Sequence, residues 1–144
     1  MSTPITNGYA GTGRMEVQYQ VANTADITAG DMLCWDGATG QFVTPCGSGD
    51  IPCAVALEDA EAGTLDGDNY VKCDVSPNSY FEFSTDAASS VAETLIGKTC
   101  DVAGAQSIDI GSSTDDCVYI FAVNVHKKTV TVRFDFDKSF AGVV

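Results

Sequence analysis

The run Thr129 to Phe136, TVTVRFDF, alternates strictly between apolar and polar residues. Val130, Val132, Phe134 and Phe136 fall on one face, and Thr129, Thr131, Arg133 and Asp135 on the other. A period of two is that of a half-buried antiparallel strand, whose successive side chains point to opposite faces. CVYIFAVNV (Cys117 to Val125) precedes it across a short polar turn at His126, Lys127 and Lys128, so the pair reads as a β-hairpin. Val118, Ile120 and Ala122 add apolar residues to the second face of that strand, which is expected to be buried on both sides.

The same reading carries back along the chain. EVQYQV (Glu16 to Val21), Met32 to Trp35, Gln41 to Thr44, CAVAL (Cys53 to Leu57), YVKCDV (Tyr70 to Val75), YFEFS (Tyr80 to Ser84), Thr99 to Val102 and Ser107 to Ile110 are short strand-like runs. Turn residues separate them, as at Ala29-Gly30-Asp31, Asp36 to Gly40, Pro45 to Pro52, Glu58 to Asn69 and Ser76 to Ser79. Many short strands at near-regular spacing indicate an all-β barrel or sandwich. The helical signal is confined to SSVAETLIG, where Ser90 and Glu93 fit a capping box and Gly97 a helix stop. No repeat and no interdomain linker is visible. Residues 1–13, polar with three glycines and a proline, read as an extended arm, and residues 14–144 as a single β domain.

With 144 residues the chain can bury roughly 70% of its unfolded surface and needs no disulfide to fold. Its 44% hydrophobic content argues against disorder. No apolar run approaches the ~20 residues of a membrane helix, and the N-terminus lacks the basic and apolar regions of an export signal, so neither membrane nor secretion is expected. Six cysteines, without CxxC spacing and embedded in strand-like runs, are expected to be buried free thiols; Cys34, Cys46 and Cys53 are the closest-spaced disulfide candidates. Twenty acidic against seven basic residues give a formal charge of −13, which argues against nucleic-acid binding. The charge reads first as a solvated surface that keeps the protein soluble; the sharper alternative is a protein, present in many copies near DNA, that must avoid sticking to it.

Catalytic equipment is sparse. His126 is the lone histidine, placed in a turn, so a His-rich metal barrel or a Ser-His-Asp triad has nothing to build on. Gly47-Ser48-Gly49 lacks a nucleophile elbow, and no phosphate loop or dinucleotide fingerprint occurs. LDGDN (Leu65 to Asn69) is a fragment of a calcium loop without its terminal bidentate Glu, and Asp135 with Asp137 is a carboxylate pair of the kind any acidic β protein offers. The aromatics, Trp35, Tyr19, Tyr80, Phe81, Phe83, Tyr119, Phe121, Phe134 and Phe136, read as core. No enzyme activity, metal or cofactor is expected, and function is expected to lie in a surface.

Two longer stretches carry a resemblance. ADITAGDMLCWDGATGQFVTP followed by CAVALEDAEAGTLDGDNYVKCDV is similar to the capsid decoration (cement) proteins of tailed bacteriophages, of the lambda head decoration, β-tulip type. The matching residues are Gly30-Asp31, Ala54 to Leu57, Glu58-Asp59-Ala60 and Ala62-Gly63-Thr64. IGKTCDV, SIDIGSST and TVTVRF resemble the closing part of such domains. The resemblance implies a small β-barrel on the outer capsid surface of a virion. Its partners would be the major capsid protein and two further copies, as a homotrimer at threefold and quasi-threefold positions. It gives Thr3, Pro4, Ile5, Thr6, Asn7 and Tyr9 of the arm a capsid-contacting role. The alternative is a β-barrel module that binds a carbohydrate or receptor.

Overall fold

The computed structural model describes residues 14–37 and 40–141. The arm residues Thr3, Pro4, Ile5, Thr6, Asn7 and Tyr9 lie outside that range. The fold is all-β. Among the described residues ten strands follow in order: β1 (Glu16–Val21), β2 (Met32–Trp35), β3 (Phe42–Pro45), β4 (Ala54–Ala56), β5 (Tyr70–Asp74), β6 (Phe81–Thr85), β7 (Thr99–Gly104), β8 (Ser107–Asp109), β9 (Val118–Asn124) and β10 (Thr129–Phe134). Each matches one of the strand-like runs to within a few residues. The expected short helix is instead two 3₁₀ turns, Ala88–Ser90 and Glu93–Leu95, neither with a side-chain cap. Ser90 falls inside the first turn, so it cannot cap a helix that would start after it. Gly97 does take the left-handed conformation, at φ +87°.

The strands divide between two five-stranded sheets, ordered β1-β3-β2-β4-β5 and β6-β8-β7-β9-β10. In each, the last strand pairs back onto the first, β5 on β1 and β10 on β6. One barrel was the expectation; two small closed sheets share the chain.

The two sheets repeat one another, which the sequence reading did not register. β1 runs parallel to β3, and β6 parallel to β8; every other pairing is antiparallel in both. The correspondence holds residue by residue. Met32↔Val55 answers to Thr99↔Tyr119, Val55↔Asp74 to Tyr119↔Arg133, and Cys73↔Val17 to Val132↔Phe81. Loop hydrogen bonds match as well. Gly30 N–H donates to Ala56 O as Gly97 N–H does to Ile120 O, and Ala56 N–H donates to Asp31 O as Ile120 N–H does to Lys98 O. Gly30 (φ +92°) and Gly97 hold the same turn. The repeat escapes the eye because equivalent positions share their facing rather than their residue: Leu33 stands for Cys100, Val43 for Ile108, Tyr19 for Phe83.

Each sheet encloses apolar side chains. Val21, Leu33, Val43, Ala54, Ala56, Val71 and Cys73 fill the first. Phe83, Val102, Ile108, Val118, Ile120, Val130, Val132, Phe134 and Phe136 fill the second. The sheets are welded because β2 and β4 have two apolar faces. Leu33 and Ala54 point into their own sheet, whereas Met32, Cys34 and Val55 pack with the core of the second. Backbone and polar contacts extend the joint: Met32 N–H donates to Ala105 O at 2.7 Å, and Gln106 Nε2 to Asp31 Oδ1 at 2.8 Å. Trp35 adds to it, its indole N–H donating to Ser139 Oγ at 3.2 Å between the rings of Tyr19 and Phe140.

Burial on both faces therefore belongs to β2 and β4, not to β9. A bulge opposite Thr131/Val132 shifts the register, pairing Thr131 with Ala122 and Val132 with Ile120. Phe121 and Ala122 are left exposed. The hairpin turn and the alternation of β10 stand as read, with Val130, Val132 and Phe134 buried. All six cysteines are free and buried. Cys34, Cys46 and Cys53 form no disulfide. Cys46 is instead hydrogen-bonded to Cys34, a contact that, with burial, raises its pKa far out of the physiological range. Burial likewise raises Cys73, Cys100 and Cys117 to about 12.

Candidate interaction surface

Two exposed features stand out on the second sheet. The first is an open cleft of about 520 Å³ between the strand-leading turn and the hairpin, lined by Ile96, Lys98, Thr99, Tyr119, Phe121 and Arg133. Ile96 is 49% and Phe121 42% exposed, so this is unspent apolar surface. The second is Tyr80, 55% exposed, which meets Phe121 edge-on at 5.3 Å. The Arg133 guanidinium lies over the Phe121 ring, 4.8 Å from its centroid. Tyr119 donates its hydroxyl to Asp135 at 3.2 Å, and burial together with that carboxylate raises its pKa.

The backbone explains the placement. Gly97 turns the chain so that Ile96 and Lys98 flank the start of β7. The bulge in β9 turns Phe121 out beside Arg133 of β10. Tyr80 and Phe121, read as core from sequence, are the surface; Phe81, Phe83, Phe134 and Phe136 pack together inside. The sequence signal for this was slight: Phe121 follows Ile120 directly, and only the bulge decides which of them turns inward. Lys98 and Arg133 place two cations on one face of a chain whose formal charge is −13.

The remaining candidates are structural. In LDGDN, Asp68 caps its own turn by accepting from Leu65 N–H at 2.9 Å, and Asp66 ties that turn to the one after β1 by accepting from Asn23 N–H at 2.8 Å. His126 is exposed in its turn. No group of acidic, histidine or cysteine side chains suited to a metal occurs among the described residues. Where the arm meets the fold, Met15 is tied down: its N–H donates to Ser76 Oγ at 3.3 Å and its carbonyl accepts from Val75 N–H at 2.9 Å.

A second polar anchor supports the site from below. Asp101, 3% exposed, accepts from Ser112 Oγ and from the N–H groups of Thr114, Asp115 and Asp116, at 2.7–3.0 Å. Burial pushes its carboxyl up, but these four bonds outweigh it and hold the pKa below the usual aspartate value. The loop before β9 is thereby fixed, and with it the strand that carries Tyr119 and Phe121.

No protein-family model and no curated protein matches this sequence. Among solved structures, the fold is similar to the N base of the head fiber gp8.5 of bacteriophage phi29, with a TM-score of 0.57 and 13% identity, covering 90% of this chain and 100% of that one. At that identity the likeness is one of fold.

Proposed function

We propose that this chain is a structural protein of a phage head, held on the outer surface of the icosahedral shell and bridging major capsid protein subunits as a homotrimer at threefold and quasi-threefold positions. In this reading its work is done by surfaces, and the arm, Thr3 to Tyr9, makes the capsid contact. The observation that carries it is the fold similarity to a head fiber base, which extends over all of that chain. The sequence stretches that resemble decoration proteins point the same way. They include Gly30-Asp31, a turn glycine with φ +92° and a carboxylate at the joint between the sheets.

The charge suits the role, because a protein of −13 is repelled by packaged or free DNA during assembly. A ligand that binds only the assembled shell stabilises it by about 2.7 kcal/mol per site at a hundredfold excess over its Kd. Modest affinity repeated over many sites is therefore enough. A sugar- or receptor-binding module is the less favoured alternative. Phe121 has Arg133 over one face and meets Tyr80 edge-to-face, an arrangement that leaves less ring face for stacking on a sugar than two coplanar rings would.

The test is reconstitution. Particles assembled without the protein should lose DNA at a lower temperature than decorated ones, and purified protein should restore resistance with no metal, nucleotide or substrate added. A chain beginning at residue 14 should fold but sediment poorly with heads. Undecorated particles that prove equally robust would refute the cement role.

A further inference from the structure

The repeat makes the two sheets comparable position by position, and the comparison isolates one difference. In the first sheet the face carrying Asp31, Met32, Val55 and Asp74 is covered: these residues are 6%, 0%, 2% and 2% exposed. Part of the cover is the β7–β8 turn of the second sheet, whose Ala105 O and Gln106 Nε2 bond Met32 N–H and Asp31. The equivalent positions on the second sheet are Lys98, Thr99, Tyr119 and Arg133. They line the open cleft, with Lys98 and Thr99 exposed. Among the described residues, one chain thus contains a covered copy of a docking face and an uncovered one.

We infer that the cleft at Lys98, Phe121 and Arg133 receives the first sheet of a second copy of this chain, in a head-to-tail contact. The first sheet has the complementary piece. Gln106 corresponds to Gln41, because Ser107 pairs with Ser84 as Phe42 pairs with Gln20. Gln41 is exposed at the leading edge of β3. In the internal joint the glutamine donates to a carboxylate; in the external one its carbonyl oxygen accepts from Lys98, a reversal that an amide side chain permits. Ile96 and Phe121 supply the apolar contact that Met32 and Val55 supply inside. Charge agrees, since a chain with twenty acidic residues presents an acidic partner to the two cations of the cleft. A head-to-tail contact either closes into a ring or runs on as a filament, and a threefold ring is the closed form that suits the proposed function. The contact itself is tested away from any capsid, so its failure and that of the capsid reading are distinguishable.

The experiment is analytical ultracentrifugation of the full chain from micromolar to millimolar concentration, for the wild type, Phe121→Asp, Lys98→Glu and the double variant Lys98→Glu/Gln41→Lys. Phe121 and Lys98 are exposed, so the variants should melt with the wild type. The wild type should associate, the two single variants should weaken association at least tenfold, and the second substitution of the pair should restore it. A wild type that stays monomeric throughout overturns the inference. So does association that Phe121→Asp and Lys98→Glu leave intact, or a cleft that binds an acidic sugar while the chain remains monomeric.

Discussion

Replacing Asp101 tests whether one buried carboxylate holds the loop that positions β9. Its four donors come from Ser112, Thr114, Asp115 and Asp116, and all four lose their acceptor in Asp101→Ala. A buried donor left unmet costs about 1–3 kcal/mol. The loop is partly exposed, so water meets some of them, and the net loss should be about 4 kcal/mol. Asp101→Asn keeps one oxygen and gives up the charge, and should lose about half as much. At roughly 2–4 °C per kcal/mol for a chain near this size, the alanine variant should melt about 10 °C lower. The pH dependence has a definite sign. Asp101 has a lowered pKa in the fold, so its contribution is complete at neutral pH and is lost as pH falls below the ordinary aspartate range, near 4, and through the lowered value. The stability gap between wild type and Asp101→Asn, measured by urea unfolding from pH 7 down to pH 2.5, should therefore be constant above about pH 5 and narrow in acid. A loss under 0.5 kcal/mol for Asp101→Ala, or a gap that does not narrow, would refute the anchoring role.

Two further substitutions test the packing. Phe134, 2% exposed among Phe81, Phe83 and Phe136, should cost about 3–5 kcal/mol as Phe134→Ala, whereas Thr131→Ala on the opposite face should stay within about 1 kcal/mol; chemical denaturation measures both. Thr85 buries a hydroxyl that has no hydrogen-bond partner among the described residues, and its equivalent in the first sheet is Val21. Thr85→Val should accordingly stabilise by about 1 kcal/mol, seen as a higher urea midpoint at unchanged slope.

The strands were legible in the sequence because alternation is local. Val130, Val132 and Phe134 could lie on one face only, and the turn residues between runs bounded each strand. The buried, unpaired cysteines were legible for a similar reason, since each sits in an apolar run without metal or redox spacing. The division into two sheets was not legible. It depends on which strands pair, and β1 with β3 or β6 with β8 is a parallel, non-adjacent choice that no local pattern records. The internal repeat was hidden for the same reason: what recurs is register, and a position such as Leu33 or Cys100 needs only to be apolar and small enough to fit. The surface was misread because a single bulge in β9 decides whether Phe121 faces the core or the solvent. A one-residue change of register reverses every facing beyond it, and only the hydrogen bonds between strands set that register.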